Sequence, residues 1–252
     1  MRTTFYTCCD KKYQDFIPIF IHSILYHNDD ADVEIGVDDI NLPKNITESV
    51  RIIMNWYPNS KVCIRSVSFD PIVVFEKTHN VCVNVVRFIN EPSIKNDYVY
   101  ISDIDIIMLQ NNISELHISE MIKTGLNYSN IVRPYEDKRL RKLTGLHFTK
   151  WDAYYPINNF EDIVGDDGLA QDEVFLFNLV SKRNIVSEST QYRPVHGIHV
   201  SPNRTPNGYP GWGLSGWIPQ WHSYRKSNEF IELEGLSSDY IKNIISQIDE
   251  AI

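Results

Sequence analysis

Short apolar runs alternate with segments of helical spacing along the first hundred residues of this chain. Residues 3–9 have the pattern of a buried strand. In residues 13–27, Phe16, Phe20 and Ile24 recur at every fourth position, which predicts a helix packed on a sheet. Chains with this alternation form a mostly parallel α/β sheet flanked by helices, and they bind ligands at the carboxyl ends of the strands. The alternation continues with predicted strands at 33–37, 61–67 and 98–101 and predicted helices at 47–57, capped by Thr47, and at 79–89.

The second half of the chain is less regular, and we expect an irregular region there. Its predicted elements are a strand at 145–149, a helix at 168–182, one or two strands within 185–200 and an amphipathic helix at 237–251. Residues 201–217 are rich in glycine, proline and tryptophan. A loop of this length in a compact domain is usually functional. We therefore predict that residues 201–221 form a wall or lid of an active site.

Two carboxylates, Asp103 and Asp105, stand one residue apart inside the apolar run 98–109. An ionised carboxylate is costly to bury unless it is paired or bound to a cation. The pair therefore predicts a metal site at the end of a core strand. The alternative is a structural role, in which both residues cap a turn after the strand. The setting matters more than the pattern, because Asp30 and Asp32 repeat the same spacing in a polar segment.

Two histidines, His196 and His199, follow the carboxylate pair by roughly ninety residues, near another predicted strand end. Two aspartates and one histidine, with phosphate oxygens of a substrate, form a suitable ligand shell for Mn²⁺ or Mg²⁺. His199 is the preferred ligand because it lies closer to the polar segment 201–204. The alternative for either histidine is a buried ring bonded to a backbone carbonyl.

The net charge of −9 argues against a nucleic-acid-binding protein, which needs a basic surface. A local basic segment is either a solvated face or a contact for phosphate or anionic lipid; its residues are Lys138, Arg139, Arg141, Lys142 and Lys150. The four cysteines have no zinc-site or disulfide spacing. No signal-peptide pattern and no run of ~20 apolar residues is present. We expect a cytoplasmic protein with at most peripheral contact at the inner face of a membrane.

Five segments, at 7–13, 85–89, 100–105, 170–173 and 195–202, together resemble the GT-A glycosyltransferases, and within them family 8. They are similar, in that order, to the family's donor-base segment, its arginine-bearing helix, its Asp-x-Asp motif, its Asp-Gln-Asp helix start and its metal-binding histidine region. The resemblance covers about residues 3–205.

The chain departs from the family 8 pattern at three places. Leu143, Thr144 and Gly145 stand where that family has Asn-Ala-Gly, and Ala170 replaces the first acid of Asp-Gln-Asp. No Lys-Pro-Trp follows the histidines.

The resemblance implies a single GT-A-like domain over 1–252, with a nucleotide-sugar-binding half at about 1–110 and an acceptor half at about 111–252. It implies transfer of a sugar, with a retaining mechanism, from a UDP-sugar to a saccharide or lipid-linked acceptor, as in surface polysaccharide synthesis. Mn²⁺ or Mg²⁺ would be held by Asp103, Asp105 and His199 or His196. The donor would contact Thr7, Cys8, Asp10, Tyr13, Arg87, Asp103, Ile104 and Arg204.

A carboxylate or amide oxygen near the anomeric carbon of the reacting sugar favours transfer, because the transition state resembles an oxocarbenium ion. Gln171, Asp172 and Glu173 are the catalytic candidates; the alternative is that they are ordinary acids at a helix N-terminus. Arg87 would sit by the diphosphate or form a structural salt bridge. Aromatic side chains that either stack on the acceptor or simply pack are Trp212, Trp217 and Trp221.

Two other functions fit parts of the sequence. A sugar-phosphate nucleotidyltransferase shares the α/β sheet and the metal, but it resembles chains with a glycine-rich loop after the first strand, and residues 8–12 contain no glycine. A non-catalytic carbohydrate-binding protein would use the tryptophan-rich segment but would not need Asp103 and Asp105.

Overall fold

The computed structural model describes residues 1–69, 72–74, 77–79, 83–134, 141–157, 172–183, 196–200 and 214–252. The strands are β1 (Thr3–Cys9), β2 (Ala31–Val37), β3 (Val62–Ser66), β4 (Ile72–Val74), β5 (Lys77–His79), β6 (Tyr98–Ile101), β7 (Ile106–Met108), β8 (Tyr128–Ser129), β9 (Val132–Pro134), β10 (Arg141–Leu143), β11 (His147–Lys150) and β12 (Gly197–His199). A 3₁₀ helix (Lys11–Phe16) follows β1, and the α-helices are α1 (Ile17–His27), α2 (Lys44–Trp56), α3 (Val83–Ile89), α4 (Ile113–Thr124), α5 (Trp151–Tyr154), α6 (Asp172–Arg183), α7 (Leu214–Arg225), α8 (Asn228–Leu236) and α9 (Asp239–Glu250).

A six-stranded sheet in the order β3-β2-β1-β6-β11-β8 forms the centre of the fold. Its first four strands are parallel, and β11 runs antiparallel to both of its neighbours. This confirms the predicted α/β class with a mainly parallel sheet. Because β1 and β6 are adjacent and parallel, their carboxyl ends meet at one edge, where the amide of Ser102 donates to the carbonyl of Tyr6 at 3.0 Å. The segments that follow these two strands therefore lie side by side.

Successive side chains of β1 enter two different hydrophobic clusters. Phe5 belongs to a cluster that includes α1, α2 and the C-terminal helices. Tyr6 belongs to a second cluster that includes α3, α6 and Trp151. Alternation in a strand directs neighbouring residues to opposite faces. Among the described residues, helices thus cover both faces of the sheet.

A two-stranded ladder beyond the sheet positions the carboxylate pair. Strand β7 pairs antiparallel with β12, and its register sets Ile106 opposite His199. Gly197 permits the close approach of the two strands, because a Cβ at this position would lie 1.9 Å from the carbonyl oxygen of Ile107. The connection from β6 to β7 and the end of β12 are thereby brought together.

Several predicted boundaries need correction. The predicted helix at 13–27 begins as the 3₁₀ helix, and its α-helical part starts at Ile17, with Pro18 in the first turn. Thr47 is not the cap of α2, which starts at Lys44; its hydroxyl donates to the carbonyl of Lys44 at 2.9 Å. Of the predicted helix at 79–89, residue 79 belongs to β5 and residues 83–89 form α3, whereas residues 80–82 lie outside the described residues.

The predicted irregular segment 201–221 is helical at its end. Helix α7 begins at Leu214, so Trp217 and Trp221 lie on a helix, and α8 and α9 complete a helical C-terminal region. The physical reason is that α7 contacts β12 and α8, which buries its inner face. Residues 201–213, with Trp212, lie outside the described residues, and so do 168–171 and 184–195. Among the described helices, none has the length and apolar character needed to cross a bilayer.

Candidate metal centre

Asp103, Asp105 and His199 converge at the carboxyl edge of the sheet. Each offers one ligand atom, and these atoms all lie within 4.8 Å of one another. The Nε2 atom of His199 is 2.9 Å from Oδ1 of Asp105. The amide of Val200 donates to the carbonyl of Asp105 at 2.8 Å, which fixes the end of β12 against the carboxylate-bearing connection.

Asp105 is a buried but ionised carboxylate. Burial opposes its ionisation, but the hydrogen bond and charge of His199, together with the charge of Arg87, outweigh burial and hold the pKa of Asp105 below its usual value. Two carboxylates and an imidazole form a donor set that suits a divalent cation such as Mn²⁺, which accepts both oxygen and imidazole ligands. The three residues therefore fit the metal that the sequence predicted.

Arg87 lies between the candidate metal centre and the start of α6. Its side chain is 4% exposed, with Nη1 at 2.5 Å from Oδ1 of Asp103 and Nη2 at 3.3 Å from Oδ2 of Asp172. Gly145 makes room for it, because a Cβ there would lie 2.7 Å from Nη2. The buried guanidinium thus orders Asp103 and also joins it to the first residue of α6.

The two acids at the start of α6 have different environments. Burial raises the pKa of Asp172. The charge of Arg87 lowers this pKa in part, and the charges of Asp103 and Glu173 raise it further. Glu173 instead forms ion pairs with the paired strands β9 and β10, at 2.5 Å to Nη2 of Arg133 and 2.9 Å to Nζ of Lys142. Lys142, part of the basic segment, is therefore an internal ion-pair partner. Gln171 lies outside the described residues, as do Lys138 and Arg139.

The segment after β1 faces the same edge of the sheet. Asp10 caps the 3₁₀ helix, accepting from the amide of Lys12 at 3.2 Å. Tyr13 lies in the same 3₁₀ helix. Its pKa is raised by burial and then by the negative charges of Asp105 and Asp10.

Three other residues that were predicted to contact the nucleotide-sugar donor are buried. Thr7 and Ile104 are within the core, and the thiol of Cys8 donates to Oη of Tyr6 at 3.2 Å. Burial raises the pKa of Cys8 to about 12, so the thiol is neutral at physiological pH. Arg204 lies outside the described residues.

His196 faces away from the cluster. Its Nε2 lies 2.8 Å from Nε2 of His117, and Nδ1 of His117 lies 2.9 Å from Oγ of Ser129. Burial lowers the pKa of His196 to about 3. The carbonyl of His196 accepts from the amides of Leu109 and Gln110, which anchors the start of β12 on the end of β7. The structure brings His199, and not His196, to the two aspartates.

Trp221 does not lie in a position to stack on a ligand. It is fully buried, and its Nε1 donates to Oδ1 of Asp249 at 2.8 Å. Trp217 is half-buried and packs against the core. The sequence did not indicate the partner of His196, the partners of Glu173 on β9 and β10, or Tyr240, whose pKa is raised by burial and then by the charge of Asp105. None of these carried a motif, because each contact joins elements far apart in the sequence.

Comparison with known proteins gave likenesses of structure only. No protein-family model and no curated protein sequence matches the chain. The galactosyltransferase LgtC, solved with donor and acceptor sugar analogs, aligns with a TM-score of 0.54 at 10% identity, covering 91% of this chain and 99% of its own. The mannosyltransferase Ktr4p of S. cerevisiae gives 0.49 at 10% identity, with coverages of 92% and 83%. The mannosyltransferase PcManGT of Pyrobaculum calidifontis, solved with GDP-Man and Mn²⁺, gives 0.47 at 12% identity, with coverages of 99% and 73%. The chain has the fold of the GT-A glycosyltransferases.

Proposed function

We propose that this chain is a metal-dependent glycosyltransferase that moves a sugar from a nucleotide-sugar donor to a saccharide acceptor. The observation that carries the proposal is the cluster of Asp103, Asp105 and His199 at the carboxyl edge of the parallel sheet. Ligands of such sheets bind at this edge. The LgtC structure, which shares the fold, was solved with analogs of a donor and an acceptor sugar.

The three residues of the cluster would hold Mn²⁺ or Mg²⁺ between the protein and the diphosphate of the donor. A bound divalent cation would offset the charge that develops on the leaving nucleoside diphosphate. Arg87 would keep Asp103 in place through its 2.5 Å ion pair. It is buried behind the carboxylates, so its role is to position them rather than to touch the substrate.

We further propose Asp172 as the acid nearest the reacting sugar. An oxygen ligand on the face of the sugar stabilises the oxocarbenium-like transition state. Asp172 is joined to the metal cluster through Arg87, whereas Glu173 is held by Arg133 and Lys142. Glu173 would thus fix the start of α6, and Gln171 remains a candidate beside Asp172.

The donor's nucleoside would lie over the segment after β1, where Asp10 and Tyr13 would contact the nucleobase. A UDP-sugar is the proposed donor and a saccharide or lipid-linked sugar the proposed acceptor, both taken from the resemblance in sequence. On this proposal the half up to about residue 110 binds the donor and the remainder binds the acceptor.

Release of nucleoside diphosphate from a panel of UDP- and GDP-sugars tests the proposal. The wild type should release nucleoside diphosphate with Mn²⁺ or Mg²⁺, and EDTA should abolish the release. Asp103→Asn should lower the rate by a factor of roughly 10² or more, because the carboxylate that binds the cation is lost. Asp30→Asn is the matched control, since Asp30 belongs to the other Asp-x-Asp pair, away from the cluster.

Two results would contradict the proposal. One is a wild type that turns over no nucleotide sugar in the presence of either metal. The other is an Asp103→Asn variant that keeps the rate and the metal dependence of the wild type.

A further inference from the structure

The C-terminal helix brings an aromatic side chain to the 3₁₀ helix that follows β1. Tyr240 lies in the first turn of α9 and is 38% exposed. It stands at the edge of the buried stripe of that helix, which consists of Ile241, Ile244, Ile245 and Ile248. The stripe fixes the helix on the core, so the ring of Tyr240 is presented at the surface from a rigid element.

The first turn of α9 is fastened to the 3₁₀ helix that follows β1. Oγ of Ser238, the N-cap residue, accepts from the amide of Ile241 at 3.4 Å and donates to Oδ2 of Asp15 at 2.9 Å. Asp15 belongs to the 3₁₀ helix. The position of Tyr240 is therefore tied to the segment in which Tyr13 lies.

Tyr240, Phe16 and Tyr13 form a series of rings. The ring of Tyr240 meets that of Phe16 edge-to-face, with centroids 5.9 Å apart and an interplanar angle of 87°. The ring of Phe16 lies 6.0 Å from that of Tyr13. Phe16 is buried, whereas Tyr13 is half-buried and Tyr240 is exposed. Two tyrosines with accessible surface thus contact the same buried aromatic side chain.

Both tyrosines lie within electrostatic reach of the same carboxylate. The pKa of Tyr240 is raised by burial and then by the charges of Asp105 and Asp15. The pKa of Tyr13 is raised by burial and then by the charges of Asp105 and Asp10. The 3₁₀ helix that holds Tyr13 and Phe16 directly follows β1, so the aromatic series starts at the carboxyl edge of the sheet, where the cluster lies.

We propose that Tyr240, together with Tyr13, supplies the aromatic surface that contacts the base of the donor nucleotide. This inference rests on the proposed function, because it assumes that the metal cluster holds the diphosphate. A base is a flat ring that stacks on aromatic side chains with little dependence on its identity. The ring of Tyr240, rather than its hydroxyl, then makes the contact, and α9 becomes part of the donor site.

Binding of UDP, GDP, ADP, CDP and inorganic pyrophosphate, each with Mn²⁺, tests this role by calorimetry. Tyr240→Leu keeps apolar volume but removes the flat ring, and Tyr240→Phe keeps the ring. Tyr240→Leu should weaken binding of the nucleoside diphosphate that the wild type binds by roughly tenfold, whereas Tyr240→Phe should bind it as the wild type does. Pyrophosphate has no base, so its affinity should be the same in all three proteins.

The control variant is Ile231→Ala, which truncates a 54% exposed side chain on the neighbouring helix α8 and should leave all affinities unchanged. Melting temperatures of the variants report whether α9 stays in place. Equal nucleotide binding by wild type and Tyr240→Leu would overturn the role of Tyr240 and leave the proposed function standing. A parallel loss of pyrophosphate and nucleotide binding would also overturn it, since Tyr240 would then be structural. A wild type that binds none of the nucleotides would overturn both.

Discussion

Replacing Arg87 by glutamine should destabilise the metal-free protein more than the loss of any exposed ion pair would. Arg87 is 4% exposed and compensates two carboxylates, Asp103 and Asp172. Burial lowers the pKa of Arg87, but the charges of the surrounding aspartates outweigh this and keep it charged. Glutamine can accept or donate hydrogen bonds but carries no charge. The variant therefore leaves both carboxylates, and Asp105 next to them, without their shared cation.

The size of the effect follows from burial. Removing one partner of a fully buried ion pair typically costs about 3–5 kcal/mol. Asp103 and Asp172 are each 24% exposed, so water offsets part of the loss, and we expect about 2–3 kcal/mol. For a chain of this length, that corresponds to a drop in Tm of roughly 4–12 °C.

Thermal melts with and without Mn²⁺ measure the effect. Mn²⁺ should raise the Tm of Arg87→Gln more than that of the wild type, because the cation then relieves repulsion that Arg87 no longer offsets. Arg51→Gln is the matched control: it removes an exposed arginine that pairs with Glu48 on α2 at 2.6 Å, and its Tm should stay close to that of the wild type. The proposed role of Arg87 in compensating the carboxylates is wrong if Arg87→Gln has the same Tm as the control. It is also wrong if Mn²⁺ raises the Tm of Arg87→Gln no more than that of the wild type.

Two further outcomes are expected. His199→Ala should weaken Mn²⁺ binding in a calorimetric titration by roughly tenfold or more. His196→Ala should lower stability rather than metal affinity, since the ring of His196 faces His117. If His196→Ala weakened Mn²⁺ binding more than His199→Ala, His199 would not be the metal ligand. The chain should also lose stability in mild acid, because burial lowers the pKa of His22, His147 and His196 to about 3. The unfolded chain protonates these rings near ~6.5, so their contribution is complete above that pH and is lost as the pH falls toward 3, by up to about 1.4 kcal/mol per pH unit for each ring. In urea titrations between about pH 7 and pH 5, His22→Gln should reduce this slope by about one ring's share, and an unchanged slope would contradict the reasoning.

The parallel half of the fold was predictable because its signals are local. Strand β1 matches its predicted bounds, and so does β6, since each is a short run without charged residues, made mostly of β-branched and aromatic side chains that are almost all buried. Helix α9 was predictable from its periodicity. Helix α4 and strand β7 were missed. Three residues of β7 are too few for a period, and the apolar positions of α4 are interrupted by polar ones.

The candidate site was also predictable only where its signal is local. Asp103 and Asp105 could be found because a carboxylate pair within an apolar run is costly without a cation. That His199 rather than His196 would face them depended on the pairing of β12 with β7, in which the side-chain direction alternates along the strand. A shift of this ladder by one residue would direct His199 elsewhere. No local pattern in the sequence specifies that register.

The charges around Arg87 connect the fold with the proposed chemistry. Asp103, Asp105 and Asp172 bring three carboxylates to one edge of the sheet, and Arg87 supplies one buried positive charge. A histidine that coordinates a metal must be neutral. With His199 in that form, the excess is two negative charges, which is the charge that a divalent cation neutralises. A site with this excess is unfavourable in the protein alone and becomes favourable when the cation binds. On the proposed function, Arg87 would therefore have two effects. It lowers the repulsion among the three carboxylates in the metal-free protein, and it leaves the net negative charge that a divalent cation would neutralise.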